Sequence, residues 1–208
     1  MSVGVQKYCH IKNNRIYLDG RLYFEDLSTM GLKSFAVKAF RESGIKYPKF
    51  YKMDDISKLG FLAAELLMQS VSKSFLDEEV GIVLSNSHST LITDSKFQES
   101  VSDDKNFFPS PAVFVYTLPN IMIGEISIRH KLRGENAFFI FDRFNAKIVT
   151  GYINRLFSAA KLKYCIGGWV DQSVDSYEAF LYWAEPFTEK SVAVEHNEQE
   201  IEKLYGIK

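Results

Sequence analysis

Apolar residues are spaced along the chain in two alternating rhythms. Residues 3–11 mix apolar and polar positions in near alternation, Asn13-Asn14 breaks the run before residues 15–18, and Asp19-Gly20 is a strong tight-turn signal, so the chain opens with strands. Residues 27–40 repeat at helical spacing, with Leu32, Phe35, Ala36, Ala39 and Phe40 on one face and Gly44 at the end. A second helix is predicted over 56–71, capped by Asp54 or Asp55, with Leu59, Leu62, Ala63, Leu66 and Leu67 in one stripe. Residues 80–84 form a buried-type strand, and 91–101 begin a helix. Pro111 suits the first turn of a helix over 112–118; Pro119-Asn120 interrupts it, and 121–132 resume.

The most organised stretch is 134–168. Residues 137–141 are an uninterrupted apolar run, expected of a strand covered on both faces. Asp142 stands where a helix N-cap belongs, and Ile148, Tyr152, Ile153, Leu156 and Phe157 recur at helical spacing within 143–160. The next strand, 164–170, carries Gly167-Gly168, where the backbone must turn or approach something closely. These parts make a βαβ unit. A further strand rich in aromatics follows over 176–184, and a short polar helix is expected around 198–204.

Composition narrows the class. The 208 residues are 46% hydrophobic and 14% aromatic, enough for one domain with a sizeable core. A net charge of -1, from 25 basic and 26 acidic residues, provides no overall field for nucleic acid or an anionic membrane. No apolar run approaches a membrane span and no signal sequence opens the chain, so membrane insertion is not expected and the location is read as cytoplasmic. Cys9 and Cys165 sit in apolar strand contexts and read as buried core residues of a reducing compartment. The reading is of a single domain over 1–208, with 185–208 a charged extension, and with neither metal nor cofactor.

Candidate chemistry is sparse. Ser85 to Thr90 follows a parallel-type strand, where open α/β sheets bind ligands, and holds His88, which has no metal-ligand spacing around it. Asp142, at a helix N-terminus, has its negative charge stabilised there and is a poor nucleophile. Lys46, Lys49 and Lys52 among Tyr47, Phe50 and Tyr51 are either ordinary amphipathic packing or a docking surface for an anionic partner. Arg129, Lys131 and Arg133 complement a helix C-terminus.

The order strand, helix, strand, helix, strand, helix, strand, strand, taken with Lys52-Met53-Asp54, the run from Lys58 through Gly60 to Glu65, the strand from Val80 to Leu84, Pro109-Ser110-Pro111, Leu118-Pro119-Asn120, the stretch from Gly124 to Ile128, Leu132-Arg133-Gly134 and Gly167-Gly168, resembles the N-terminal half of a β-ketoacyl synthase. It is similar in particular to the short ketosynthase N-terminal-like proteins found beside polyene and resorcinol pigment or lipid gene clusters. The resemblance implies an α/β fold that is half of the thiolase-like fold, βαβαβαββ, with a mixed, mainly parallel five-stranded sheet and helices on both faces.

Active members place a cysteine at the N-terminus of the helix after the third strand and use two histidines from the C-terminal half. The family's spacing puts the cysteine position on Asp142, and the chain is expected to end before the histidines. The resemblance therefore implies a non-catalytic subunit of the chain-length-factor kind in fatty acid or polyketide-type biosynthesis, partnered by an acidic acyl carrier protein and a full-length synthase, or by a second copy of itself through the 143–160 helix. His88 and Asn120 are the candidate substrate contacts, and Lys46, Lys49, Lys52, Arg129, Lys131 and Arg133 the candidate partner contacts. The alternatives are a half-ketosynthase that completes a 3-oxoacyl-carrier-protein synthase site only in a complex, using Asp142 or His88 as acid or base, and an acyl-thioester-binding domain with a pocket beside Ser85 to Thr90.

Overall fold

A computed structural model describes residues 2–28, 31–71, 74–102, 107–187 and 194–206. β1 (Val3–Lys12), β2 (Arg15–Leu18) and β3 (Arg21–Glu25) are two successive hairpins, and the residues at both turns, Asn13 and Asn14, then Asp19 and Gly20, have positive φ. Such tight turns match the right-handed twist of the flanking strands. The helices α1 (Leu32–Glu42) and α2 (Asp55–Ser70) follow, then β4 (Val80–Asn86), α3 (Leu91–Val101), α4 (Pro111–Val115), α5 (Ile121–His130), β5 (Asn136–Ile140), α6 (Ala146–Ser158), β6 (Tyr164–Gln172), β7 (Tyr177–Pro186), β8 (Val194–Glu195) and α7 (Glu198–Gly206).

All eight strands join one sheet in the order β3-β2-β1-β7-β6-β4-β5, with β8 paired to β1. The five expected strands are the contiguous run β1-β7-β6-β4-β5, which ends at β5. β6, β4 and β5 are mutually parallel, and β7 runs antiparallel to both β6 and β1. β2, β3 and β8 extend this run at its β1 end.

Each face of the sheet carries its own apolar layer. On one, α2 lies across β1, β6 and β7 and is backed by α1 and α5. On the other, α6 packs on β4 and β6 with α7 beside it. A bulge between Val5 and Lys7 reverses the alternation of β1, so that Val3 and Val5 face α6 while Cys9 and Ile11 face α2. Asp54 is the N-cap of α2, accepting from the Ser57 N–H at 3.1 Å.

Gly167 and Gly168 meet the expectation of close approach. A Cβ on Gly168 would lie 2.0 Å from the Phe180 carbonyl oxygen, and one on Gly167 2.5 Å from the Tyr182 ring. The pair lets β7 and α6 close on β6 together.

Two expectations are corrected. The helix after β5 starts at Ala146, and its N-cap is Asn145, not Asp142; five residues are needed to carry the chain off the strand end. The strand from 137–141 is not covered on both faces but is a half-buried edge, because nothing described pairs beyond β5. Along α6, through which a second copy is expected to bind, Phe157 is 3% exposed and shares its layer with Ile201 and Leu204 of α7, Tyr152 is half-buried, and Ile148 is 45% exposed.

Candidate functional site

The carboxyl ends of β4, β5 and β6 lie side by side, and the chemistry gathers there. Phe141, Asp142 and Arg143 leave the end of β5, with Asp142 exposed to solvent. Asn145 then accepts from the Ile148 N–H at 3.0 Å, which satisfies one of the open donors of α6. From 141 to 147 the side chains are Phe, Asp, Arg, Phe, Asn, Ala and Lys, with no thiol or hydroxyl at the helix mouth. Both thiols are remote from such a role: Cys9 and Cys165 are fully buried in strands, and burial pushes each far above the usual range, which favours the inert neutral form.

Aromatic rings fill the space over the mouth. Phe144 lies 4.8 Å from Tyr205, 5.8 Å from Phe180 and 6.1 Å from Trp169, centroid to centroid. Behind them Glu178 accepts from the Tyr205 hydroxyl at 2.6 Å and meets His10 Nε2 at 2.9 Å and Lys12 Nζ at 3.0 Å. Burial acts to raise the Glu178 carboxyl, but hydrogen bonds from His10, Tyr205 and Lys12 outweigh it and hold it down at about 2.

His88 has a partner that local sequence could not reveal. Its Nδ1 lies 2.8 Å from Asp171 Oδ2 on β6, while Asp171 Oδ1 accepts from the backbone N–H groups of Ser87 and His88, both at 3.0 Å. The carboxylate fixes the loop and orients the imidazole, whose Nε2 is not part of that pair. Among the described residues, the segment from Ser85 to Thr90 is largely occupied by its own hydrogen bonds. Ser85 donates to the Gly168 carbonyl, Asn86 and Ser89 bond each other, and the cavity at Ser89 to Thr93 has about 10 Å³. That is room for about one water.

Asn120 is separate from His88. It opens α5 and lines two grooves of about 350 and 390 Å³ that meet at Asn120 and Asn136; Phe138 and Ile140 bound one, Leu118 and Ile123 the other. Together they follow the open edge of β5. Ile140 and Leu118 are 54% and 50% exposed there, an apolar strip beside a strand edge that no described residue pairs.

The basic residues divide into two groups. Arg129 holds buried Glu65 with bonds of 2.8 and 3.1 Å and lies 5.0 Å over the Tyr47 ring, while Lys49 is 2.7 Å from buried Glu125. Lys46, Lys52, Lys131 and Arg133 are exposed. Among the described residues, no group of three or more His, Cys, Asp or Glu could hold a metal, and no helix is long and apolar enough to cross a membrane.

No family model and no curated protein matches the chain. Solved structures do. The ishigamide ketosynthase/chain length factor is 14% identical with a TM-score of 0.68, the match covering 93% of this chain and 64% of that one. A ketosynthase, ApeO, in complex with its chain length factor, ApeC, from Xenorhabdus doucetiae is 12% identical with a TM-score of 0.58, covering 91% and 81%. A β-ketoacyl synthase from Burkholderia phymatum is 12% identical with a TM-score of 0.56, covering 100% and 61%. The chain thus spans less than two thirds of the length of the first and third of these. Its fold is the thiolase-like fold of ketosynthases and chain length factors, as the order of elements implied.

Proposed function

We propose that the chain is a non-catalytic, ketosynthase-like accessory subunit in fatty acid or polyketide-type biosynthesis, acting with an acyl carrier protein and a full-length β-ketoacyl synthase. The observation that carries this reading is the helix mouth. In a fold shared with ketosynthases and chain length factors, Asn145 caps α6, no thiol or hydroxyl lies from 141 to 147, and aromatic rings occupy the space above. A polypeptide built this way has no acyl acceptor at that place, so any part it takes in condensation is through a partner.

The groove along β5 is where the synthase, or a second copy, docks. An open strand edge flanked by Ile140 and Leu118 favours added strand pairing and apolar cover. The carrier protein, being acidic, meets Lys46, Lys52, Lys131 and Arg133. The single test is reconstitution. Native mass spectrometry of the chain with the synthase should detect a complex, and Ile140→Lys should abolish it while leaving the fold intact. A chain that stays monomeric and neither binds the synthase nor alters its product length would overturn the reading.

The His88–Asp171 pair favours a second reading, in which the chain lends an oriented imidazole to an active site completed in the complex. Activity of the complex that survives Asp142→Ala but not His88→Ala would select it.

A further inference from the structure

The C-terminal segment closes over the α6 face through few contacts. β8 pairs with β1 at two positions, Gly4 with Glu195 and Val5 with Val194, and α7 turns only Ile201 and Leu204 fully inward. Tyr205 reaches the mouth of α6, against Phe144 and Phe180 and stacked 5.8 Å from His10. The Tyr205 hydroxyl donates to Glu178 at 2.6 Å, and a further tie is His196, which is 2% exposed. Its Nδ1 lies 2.7 Å from Asn154 Oδ1 on α6 and its Nε2 3.1 Å from the Tyr182 hydroxyl on β7. Asn154 also donates its amide to the His196 carbonyl at 3.1 Å, which fixes the amide so that Oδ1 faces the ring. Nδ1 therefore carries the hydrogen and Nε2 accepts from Tyr182.

Among the described residues this arrangement satisfies the neutral imidazole and sets no countercharge against its cation. α6 offers Asn154, β1 the Val3 carbonyl that accepts from the His196 N–H, and β7 Tyr182, which burial keeps un-ionised, with the buried Cys165 thiol behind it. On its own segment Glu195 accepts from Asn197, Glu198 is exposed, and Glu200 pairs with Lys203.

We infer that residues 194–206 are a proton-released cap on the mouth of α6: protonation of His196 undocks the segment while the sheet stays folded, uncovering Phe144 and the apolar layer beneath Ile201 and Leu204. Burial holds His196 at about 4, against 6.5 when free. A group so shifted favours the docked state above pH 6.5 and loses that preference as pH falls toward 4, so the open fraction rises about thirtyfold between pH 7.5 and 5. The segment opens ahead of the centre of the sheet because α7 buries two aliphatic side chains, whereas β4, β6 and β7 are buried along most of their length. The inference concerns the chain alone and stands whether or not a synthase binds.

Hydrogen exchange on the whole chain, corrected for the intrinsic pH dependence of amide exchange, tests it. Protection in 198–206 should fall about thirtyfold from pH 7.5 to 5 and stay well below that of β4 and β6 at every pH, and His196→Gln should remove the pH response. Protection in α7 equal to that in β6 at pH 5, or the same pH response in the variant, would overturn it. If His196→Gln undocks the segment at every pH, nuclear magnetic resonance titration of His196 in the unaltered chain decides. Titration near 4 with α7 opening first supports the cap, and titration near 6.5 or an unmoved α7 refutes it.

Discussion

His88 Nδ1 lies 2.8 Å from Asp171 Oδ2, joining the loop after β4 to β6 across 83 positions of sequence. Asp171 does more than hold the ring, because it also accepts two backbone N–H groups of that loop. Asp171→Ala strips three donors of their acceptor and is expected to cost about 1–3 kcal/mol, whereas His88→Ala removes a half-exposed ring and should cost less than about 1 kcal/mol. Urea unfolding separates the two. In a reconstituted condensation the accessory role predicts that His88→Ala stays within about twofold of the unaltered rate; a loss of about a hundredfold is what an acid or base would give.

Gly168 is the position least able to accept a side chain. An added Cβ meets backbone, the Phe180 oxygen at 2.0 Å and the Leu181 Cα at 3.0 Å, and no rotamer change relieves that. β7 would have to lift from β6. Gly168→Ala should therefore cost about 3 kcal/mol or more. Gly167→Ala meets the Tyr182 ring and the end of Ile153, which can yield, and should cost about 1–3 kcal/mol. Thermal and chemical unfolding check both, and a Gly168→Ala protein within about 1 kcal/mol of the parent would contradict the close contact.

What could be read from sequence follows the range of the interaction. Asn13-Asn14 and Asp19-Gly20 need positive φ locally, and the α2 stripe repeats within a few turns, so both were legible. Asp142 and Asn145 have the same capping chemistry three residues apart; the choice between them is made by Phe144, whose ring must reach Trp169, Phe180 and Tyr205, contacts that no local pattern encodes. The apolar run of β5 suggested cover on both faces because strand order is not written in a strand's own residues. Ile201 and Leu204, two apolar positions in a charged tail, make a stripe too narrow to announce a core contact. Asp171 remained hidden for the reason His88 looked alone: its partner lies one strand over and far along the chain.

Acid should destabilise the protein in two successive windows. His196, lowered from 6.5 to about 4, binds its proton more readily when unfolded, so its contribution is complete above pH 6.5 and is lost as pH falls toward 4. Glu178, lowered from 4.5 to about 2, contributes above pH 4.5 and loses that contribution as pH falls toward 2. Each is of the order of 3 kcal/mol. Unfolding free energy measured from pH 8 to 3 should decline in both windows; Glu178→Gln should flatten the lower, and a curve level from pH 7 to 4.5 would contradict the His196 contribution.

The basic residues cannot be tested as partner contacts by one uniform scan. Glu65, itself 2% exposed, is held by Arg129 at 2.8 and 3.1 Å and by His130 Nε2 at 2.9 Å. Arg129→Ala leaves a buried carboxylate short of donors and should cost about 2–4 kcal/mol, so weakened partner binding in that variant would report on folding. Lys46, Lys52 and Lys131 are exposed, and reversal of each to Glu should change stability by no more than about 0.5 kcal/mol. If they face the acidic carrier protein, the triple reversal should weaken its binding about tenfold at low salt, and the difference should shrink as ionic strength rises, because exposed charges are screened. Titration calorimetry at two salt concentrations reads both effects. Unchanged carrier affinity in the triple variant, with loss only in Arg129→Ala and in proportion to its lowered stability, would remove the basic surface from the carrier's docking site.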